Sequence, residues 1–480
     1  MGPVAISGSS AKNYYIEKDP ILNPEGNGKN AKWYGGGLAE LRLKEGDRVM
    51  AKDFECIVGG KNLDGCQLVQ LTHSNSKRTE HRAGVDFTFD DPKSVSICEH
   101  VLHYKADVIQ NARQAALEKA ISHIDQNYIY YRQTVNGVTT MRQAPGRGII
   151  AAFGHSLSRK NDPQSHTHVI ISNMIKCPDG QIRALSNEMI FKDQKYLTSM
   201  YHSEMAYSLA RNGFAIEARG KGLYEIGGVD QKVIDQFSKR SSQIDKAVNA
   251  LRETYPKACE AELRKMATLE TRAAKDKNIT PDQLSKSWSQ QINNNLYISK
   301  DQLVKSVEAA FDRQQAQETG KAPMTAQECV KAAVRDLQTY ESTFRDKDVL
   351  THAMSLFIGN CRETDISGAF SEARETGHIQ QIAQKDFKSG LSEKVYSTPE
   401  MIKTEQQILY NPKAVHGQCE REAKTSNCHE LKHEFGHSHD KADDFKIKRE
   451  FYIEREGSGR DYCRETDYGL SKQAEIEIGS

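Results

Sequence analysis

Two short apolar runs stand out along the chain, Gly148 to Phe153 and Val169-Ile170-Ile171. They are separated by the polar stretch Ser156 to Ser165, which contains Asp162-Pro163. β-branched and apolar runs of this length around a polar, Pro-containing break predict two antiparallel strands joined by a loop. Ala83 to Phe89 alternates: Phe87 and Phe89 share one side of a half-buried strand, Asp86 and Thr88 the other. Asp90 to Ser96 closes that strand and opens a helix. Asp107 to Gln126 places Val108, Ala112, Ala115, Ala116, Ala120, Ile121 and Ile124 at helical spacing. Tyr128 to Arg132 and Val138 to Arg142 flank Asn136-Gly137, a strong hairpin signal. Asn187 to Asn212 reads as a helix in two pieces stopped by Gly213. Phe214 to Ala218 and Gly222 to Ile226 read as two further strands, and Val4-Ala5-Ile6 as a short one.

From about residue 230 the period becomes helical throughout. Helices are expected at 230–237, 242–254, 259–275, 281–290, 301–314, 326–339 and 348–357, with Thr280-Pro281 as a cap followed by proline at the first helical position. Ser299 and Thr325 are placed to cap two others. Past about Gln418 the sequence is polar and irregular, too poor in apolar residues for a packed core. The fold class expected is α+β: an antiparallel sheet with a histidine hairpin, packed by helices and followed by a mainly helical region. The divisions fall at 1–228 (mixed α+β), 229–297 (helical), 298–417 (small and helical) and 418–480 (a polar, weakly ordered tail).

Composition narrows the function only by exclusion. The 480 residues are 37% hydrophobic and 27% charged, and 66 Lys+Arg nearly cancel 65 Asp+Glu, so any nucleic-acid surface must be local. No apolar run has transmembrane length and no signal peptide is expected. Ten cysteines contain no Cys-x-x-Cys pair, which points to a reducing cytoplasm, not to a zinc ribbon or disulfide framework.

The chemistry concentrates at the hairpin. His155 ends the first apolar strand, and His166 and His168 begin the second at i and i+2, on one face. Such a hairpin can bring three imidazoles to one metal ion; scattered loop histidines are the plain alternative. Asp86 either faces water or serves as a partner of a ligand histidine. Tyr14 and Tyr15 read by themselves as packing residues with surface hydroxyls. Asn23 to Gly37, with Trp33-Tyr34 and Gly35-Gly36-Gly37, reads as a loop that could drape over a ligand.

Taken together, Asn13-Tyr14-Tyr15, the run Gly84-Val85-Asp86-Phe87-Thr88-Phe89-Asp90-Asp91-Pro92-Lys93-Ser94-Val95-Ser96, Phe153-Gly154-His155 and Pro163-Gln164-Ser165-His166-Thr167-His168 resemble a conjugative relaxase. The similarity is to the relaxase-helicase branch, a three-histidine, HUH-type DNA strand transferase, and its order and spacing hold over about the first 240 residues. The stretch from Phe237-Ser238-Lys239-Arg240 to Thr268-Leu269-Glu270-Thr271-Arg272 is similar to the helical region that follows, and Thr398-Pro399-Glu400-Met401 to the approach to a helicase. No Gly-x-x-x-x-Gly-Lys-[Ser/Thr] loop occurs in the sequence, so the motor itself is not expected here.

The resemblance implies a metal-dependent, site- and strand-specific endonuclease and strand transferase. It would nick single-stranded DNA at an origin of transfer through a 5′-phosphotyrosine, for conjugative transfer. It implies Tyr14 as nucleophile with Tyr15 beside it, Asp86 as the acid, and His155, His166 and His168 as metal ligands. It also implies residues 1–228 as the catalytic domain and 229–297 as a region closing over DNA. The residue types suit such chemistry. A phenol titrates near pH ~10 and needs help to attack at neutral pH, while a metal on neutral imidazoles binds and polarises a phosphate. The expected ion is Mg or Mn, with Zn, Ni or Cu also compatible with imidazole. Expected partners are the DNA, accessory relaxosome proteins and a type IV secretion coupling protein. Where many family members have a second tyrosine pair, this chain has Asp19-Pro20-Ile21-Leu22, which leaves Tyr14 and Tyr15 as the nucleophile candidates.

DNA contacts are expected from Arg78, Arg82, Lys93, Arg159, Lys160, Lys239, Arg240 and Arg272, with Arg142, Arg147, Arg219, Lys221 and Lys275 nearby in the motif stretches. Trp33, Tyr34, Tyr128, Tyr130 and Tyr131 are candidates for base stacking or for core packing. Two readings compete. A rolling-circle replication initiator uses the same chemistry at another origin. His429-Glu430-Leu431-Lys432-His433 matches a zinc metalloprotease signature. The second lacks the apolar helix face such a site needs, and a polar tail that scavenges metal explains it as well.

Overall fold

In the computed structural model, residues 3–7, 30–69, 82–272, 279–320, 324–386 and 391–410 are described. Five strands form the central sheet: β1 (Val4–Ser7), β2 (Ala31–Tyr34), β3 (Arg82–Asp90), and, later in the chain, the pair Ile150–Leu157 and Pro163–Ser172. Before that pair, the hairpin of β4 (Tyr130–Val135) and β5 (Val138–Gln143) turns at Asn136-Gly137. The pair itself is therefore β6 and β7. Sheet order is β1-β3-β7-β6-β2, antiparallel at every pairing.

Both faces of this sheet are covered. Val85, Phe87, Phe89, Ile150, Ala152, Val169 and Ile171 enter the main core. They pack beneath α2 (Lys93–His100) and α3 (Ala106–Asn127), which follow α1 (Ala51–Val58) in the chain. The opposite face joins Trp33, Ala151, Phe153 and Ile170 to Phe54, Ile57 and Val58 of α1 in a second core. The Phe54 and Phe153 rings meet edge to face at 4.9 Å. The alternation read from Ala83 to Phe89 is thus an alternation between two buried layers, not between core and water.

Trp33-Tyr34 corrects the expectation of a draped loop: both residues are buried in β2, an edge strand of the sheet. The glycines after them serve close approach. A Cβ on Gly36 would stand 2.2 Å from the Gly146 carbonyl oxygen, while Asp125 accepts hydrogen bonds from the Gly36 and Gly148 amides at 3.1 and 2.7 Å. Tyr128 and Tyr131 are buried as well, so packing prevails over stacking for four of the five candidate aromatics.

The helical half follows: α4 (Glu188–Lys192), α5 (Gln194–Arg211), a hairpin of Ile216–Gly220 with Leu223–Ile226, then α6 (Gln231–Gln236), α7 (Lys239–Thr254), α8 (Glu260–Glu270), α9 (Pro281–Gln290), α10 (Lys300–Glu318), α11 (Ala326–Leu337), α12 (Asp346–Leu356) and α13 (Glu363–Glu375). Thr280, Ser299 and Thr325 cap α9, α10 and α11, each accepting from the amide three residues on, with a glutamine or glutamate closing the box. The period-based reading missed α13 and the hairpin of Gln380–Asp386 with Ser392–Ser397. One hydrophobic cluster runs from Phe87 and Ile121 through Leu197 and Trp288 to Val330 and Tyr396. The change of pattern near residue 230 is therefore a change of secondary structure over a continuous core. Residues through Lys403 form one compact unit; of the second, from Thr404, only the end of the Pro399–Tyr410 helix is described. No described helix is long and apolar enough to cross a membrane.

Candidate metal centre

Register builds the site. Asp86 pairs with Ile170, Thr88 with His168 and Asp90 with His166 between β3 and β7; His155 of β6 pairs directly with His166. Because side chains alternate, Asp86, Thr88, Asp90, His155, His166 and His168 lie on one sheet face. That face is apolar under α1, at Ala151, Phe153 and Ile170, and polar at the end where the histidines lie. The strands extend further into the predicted loop than expected, since Pro163 already begins β7.

The three ring centroids are mutually 5.3, 5.4 and 5.3 Å apart. Three imidazoles holding one ion at about 2.0–2.1 Å in near-tetrahedral array have centroids roughly 5 Å apart. Tautomers point the same way. His168 Nδ1 stands 2.8 Å from Asp86 Oδ2 and 3.1 Å from Oδ1. Thr88 Oγ1 lies 3.0 Å from the same nitrogen and donates to Asp86 at 3.3 Å. His166 Nδ1 faces the Gln164 carbonyl at 2.9 Å. A carbonyl or carboxylate only accepts, so each Nδ1 carries the proton and each Nε2 the lone pair. Spacing and donor chemistry both fit a divalent ion. As the rings stand, no group of three or more His, Cys, Asp or Glu side chains among the described residues is placed to hold a metal ion. The strands fix where the rings stand, while the imidazole torsion is broad.

A buried charged cluster braces the histidine strand from the other face. Arg113 of α3 spans Asp91, at 2.7 Å, and Glu99. The Tyr201 hydroxyl donates to Asp91 Oδ1 at 2.6 Å. Ser165, the residue before His166, donates from its hydroxyl to Glu99 at 3.0 Å, lies 2.7 Å from His100 Nε2, and donates its amide to Ser96 Oγ at 2.9 Å. Burial pushes the Asp91 carboxyl up, against the pull of Arg113 and Tyr201. At Glu99 burial acts in the same sense, but Arg113, His100 and Ser165 outweigh it and hold the carboxyl below its usual value.

The tip of the hairpin is held by the helical half. Asp162 accepts from the Lys239 amide and from its Nζ, both at 3.0 Å, so it caps α7 as well as pairing with its first residue. Trp288 of α9 donates to the Asn161 carbonyl at 2.9 Å. Lys93, the first residue of α2, donates to the Pro163 carbonyl at 2.8 Å; burial brings its ammonium down to about 8, against Asp162 and Glu225.

The expected DNA contacts separate into groups. Arg82 is engaged by Asn173 and the Leu185 carbonyl, and Lys93 by Pro163. Arg240 donates to the Thr268 and Thr271 carbonyls at 2.9 and 2.8 Å and so closes the C-terminal end of α8. Burial, then Arg159 and Arg272, lower its basicity, which puts three guanidiniums in one neighbourhood. Lys160 and Lys239 line, with Lys246, an open cleft of about 410 Å3 beside the hairpin tip. Tyr14, Tyr15, Arg78, Lys275 and the His429–His433 stretch lie outside the described residues. Sequence reading missed Thr88, Glu99, Arg113 and Asp162. Thr88 carried a signal, two residues from Asp86 on one strand face; the others act through contacts made only in the folded chain.

Comparison with known proteins finds relatives of this chain in sequence and in structure. The sequence model of the family described as TrwC relaxase matches residues 5–295. The "Multifunctional conjugation protein TraI" of Escherichia coli is 27% identical over 373 residues, covering 74% of this chain and 19% of that protein; its counterpart in strain K12 is 27% identical over 297 residues. The chain thus spans about a fifth of the length of the curated relative it matches over the greater length. Among solved structures, a copper-bound complex of the conjugative relaxase TrwC with oriT DNA is 29% identical, with a TM-score of 0.54 over 62% of this chain and 99% of that one. TrwC with a 27-mer carrying the recognition hairpin and cleavage site gives 0.52 at 28% identity. With the matched segment covering the sheet, the three histidines and the helices that hold the hairpin tip, the chain belongs to the TrwC relaxase family.

Proposed function

We propose that this chain nicks one DNA strand at an origin of transfer and rejoins it, with Tyr14 as nucleophile and Tyr15 as its neighbour. The observation that carries this reading is the set of three imidazoles on one sheet face, at 5.3–5.4 Å centroid spacing, with Asp86 on His168 Nδ1. His155, His166 and His168 are the residues that would hold a divalent ion, Mg or Mn in the first place and Zn or Ni as substitutes. Bound there, the ion supplies Lewis-acid polarisation of the scissile phosphate. A related structure is described as metal-bound TrwC with oriT DNA, in line with such a role.

The chain's own residues do the rest. Asp86 and Thr88 keep His168 in one tautomer and orientation. The phenolic oxygen displaces the 3′ oxygen at the phosphate, leaving a 5′-phosphotyrosine diester and a free 3′ hydroxyl. Because a diester replaces a diester, attack by a 3′ hydroxyl reverses the step without ATP. Lys160, Lys239 and Lys246 at the cleft, with Arg159 and Arg272, supply positive charge for the backbone of the bound strand. In this reading residues 229–297 close over the DNA and 298–417 form the segment leading toward a helicase. The enzyme works in the cytoplasm, with accessory relaxosome proteins and a type IV secretion coupling protein as partners.

The test is a covalent-adduct assay. Labelled single-stranded oligonucleotides tiling the DNA that flanks the gene are incubated with the full chain and Mn or Mg. A single sequence is expected to yield a protein–DNA adduct that disappears with chelator and in Tyr14→Phe, with at most a partial loss in Tyr15→Phe. Loss in Tyr15→Phe alone moves the nucleophile by one residue. No adduct from any tile, with the protein folded and metal bound, removes the reading.

A further inference from the structure

Outside the histidine face, two thiols meet in the core of the helical half. Cys329 of α11 and Cys361, just before α13, place their sulfurs 3.7 Å apart, with Cys329 fully buried and Cys361 6% exposed. We propose that Cys329 and Cys361 form a dithiol modification site that takes low-molecular-weight disulfides by thiol–disulfide exchange and closes to an intramolecular disulfide. This site does not depend on the DNA-nicking reading.

The geometry assigns different parts to the two sulfurs. Cys361 sits two residues before the first residue of α13, at the positive end of that helix. The contact between the two sulfurs draws the Cys361 thiol down, against burial and Asp365, with Arg211 helping. The same contact pushes Cys329 up. Cys361, 6% exposed against 0% for Cys329, is assigned as the attacking sulfur. Its sulfur attacks one sulfur of R–S–S–R, forming a mixed disulfide and expelling one R–S⁻, which takes a proton. The Cys329 sulfur, losing its proton, then attacks Cys361 Sγ and expels the second R–S⁻. The sum is two protein thiols oxidised to one disulfide and one small disulfide reduced to two thiols. The sulfurs must close from 3.7 Å to about 2.05 Å to form the bond.

The site has a mechanical context. Ser203 of α5 donates to the Cys361 carbonyl at 3.0 Å, and the same helix carries Tyr201, whose hydroxyl holds Asp91. A Cys329–Cys361 link staples α11 to the segment that braces α5.

The full chain is incubated with oxidised glutathione at graded ratios to reduced glutathione, quenched with iodoacetamide and mapped by peptide mass spectrometry. Expected is one cross-linked peptide pair containing Cys329 and Cys361, with two alkylatable thiols lost. Cys329→Ser is expected to retain glutathione on Cys361, and Cys361→Ser to leave Cys329 unmodified. The decision rests on the unsubstituted chain, so misfolding of a variant does not decide the question. Both residues recovered as free thiols, under a ratio that modifies the exposed Cys66 and Cys259, overturn the proposal. A glutathione adduct that persists on Cys361 of the unsubstituted chain overturns it equally.

Discussion

His168 Nδ1 and Asp86 Oδ2 are 2.8 Å apart, both side chains buried, on adjacent antiparallel strands. The contact makes Nε2 the nitrogen of His168 that carries the lone pair. Asp86→Asn keeps the shape but offers an amide that can present either a donor or an acceptor to Nδ1, so the tautomer is no longer fixed. Loss of an outer partner of this kind costs about 10–100-fold in metal affinity. Calorimetric titration with Mn is expected to show a fall in that range, and nicking to recover at excess metal. Unchanged affinity in Asp86→Asn removes the orienting role.

Arg113 is expected to matter for folding more than for chemistry. Its guanidinium neutralises Asp91 and Glu99, whose side chains are 0% and 1% exposed. Arg113→Leu leaves two carboxylates buried without their counter-charge. Breaking a buried pair from one side typically costs about 3–5 kcal/mol. The urea midpoint of Arg113→Leu should drop accordingly, and Arg113→Lys should recover only part, since an ammonium cannot fork between two carboxylates. A midpoint within error of the parent chain contradicts the assignment.

The sequence made the histidine hairpin legible because strand period, loop chemistry and residue type all coincide within twenty residues. Phe87 and Phe89 on one side and Asp86 and Thr88 on the other were likewise readable from alternation, and the register agrees. What alternation could not show is that the polar side is also buried, because that depends on α1 covering that face of the sheet. Trp33 and Tyr34 looked like loop residues because glycines follow them. Those glycines exist so that the chain can pass against Gly146 and Gly148. The Arg113 cluster joins residues far apart in sequence, and nothing in helical period distinguishes Arg113 from a solvated arginine. Arg240 had the composition of a DNA contact, yet its fork is used on the carbonyls at the end of α8.

Stability should fall steeply in mild acid. Burial holds His202 and His123 down to about 4, with Lys347 and Lys119 acting in the same sense on His123 and Asp90 opposing at His202. Both folded values lie below the ordinary imidazole value, so the unfolded chain binds more protons between pH ~6.5 and ~4. The stabilisation is complete above about pH 6.5 and is lost as pH falls toward 4, on the order of 2–3 kcal/mol for each ring. Urea unfolding at pH 7.5, 6 and 5 should show this slope, and His123→Gln should flatten it. A midpoint independent of pH over that range contradicts the neutral state of both rings in the folded chain.

Lys160 and Lys246 separate charge proposed for DNA from charge used for the fold. Both side chains are exposed on the cleft beside the hairpin tip, whereas Arg240 closes α8 from within. For single strands the logarithm of the binding constant falls with the logarithm of salt by about 0.7 per phosphate neutralised. Lys160→Ala and Lys246→Ala should each lower the slope by about that amount, weaken binding regardless of sequence, and leave the melting temperature unchanged. Arg240→Ala should instead lower the melting temperature, by the equivalent of about 1–2 kcal/mol for the lost cap. Anisotropy titrations of a labelled single strand at several salt concentrations, paired with thermal melts, distinguish the two. An unchanged salt slope in both lysine variants would take the cleft out of the DNA path.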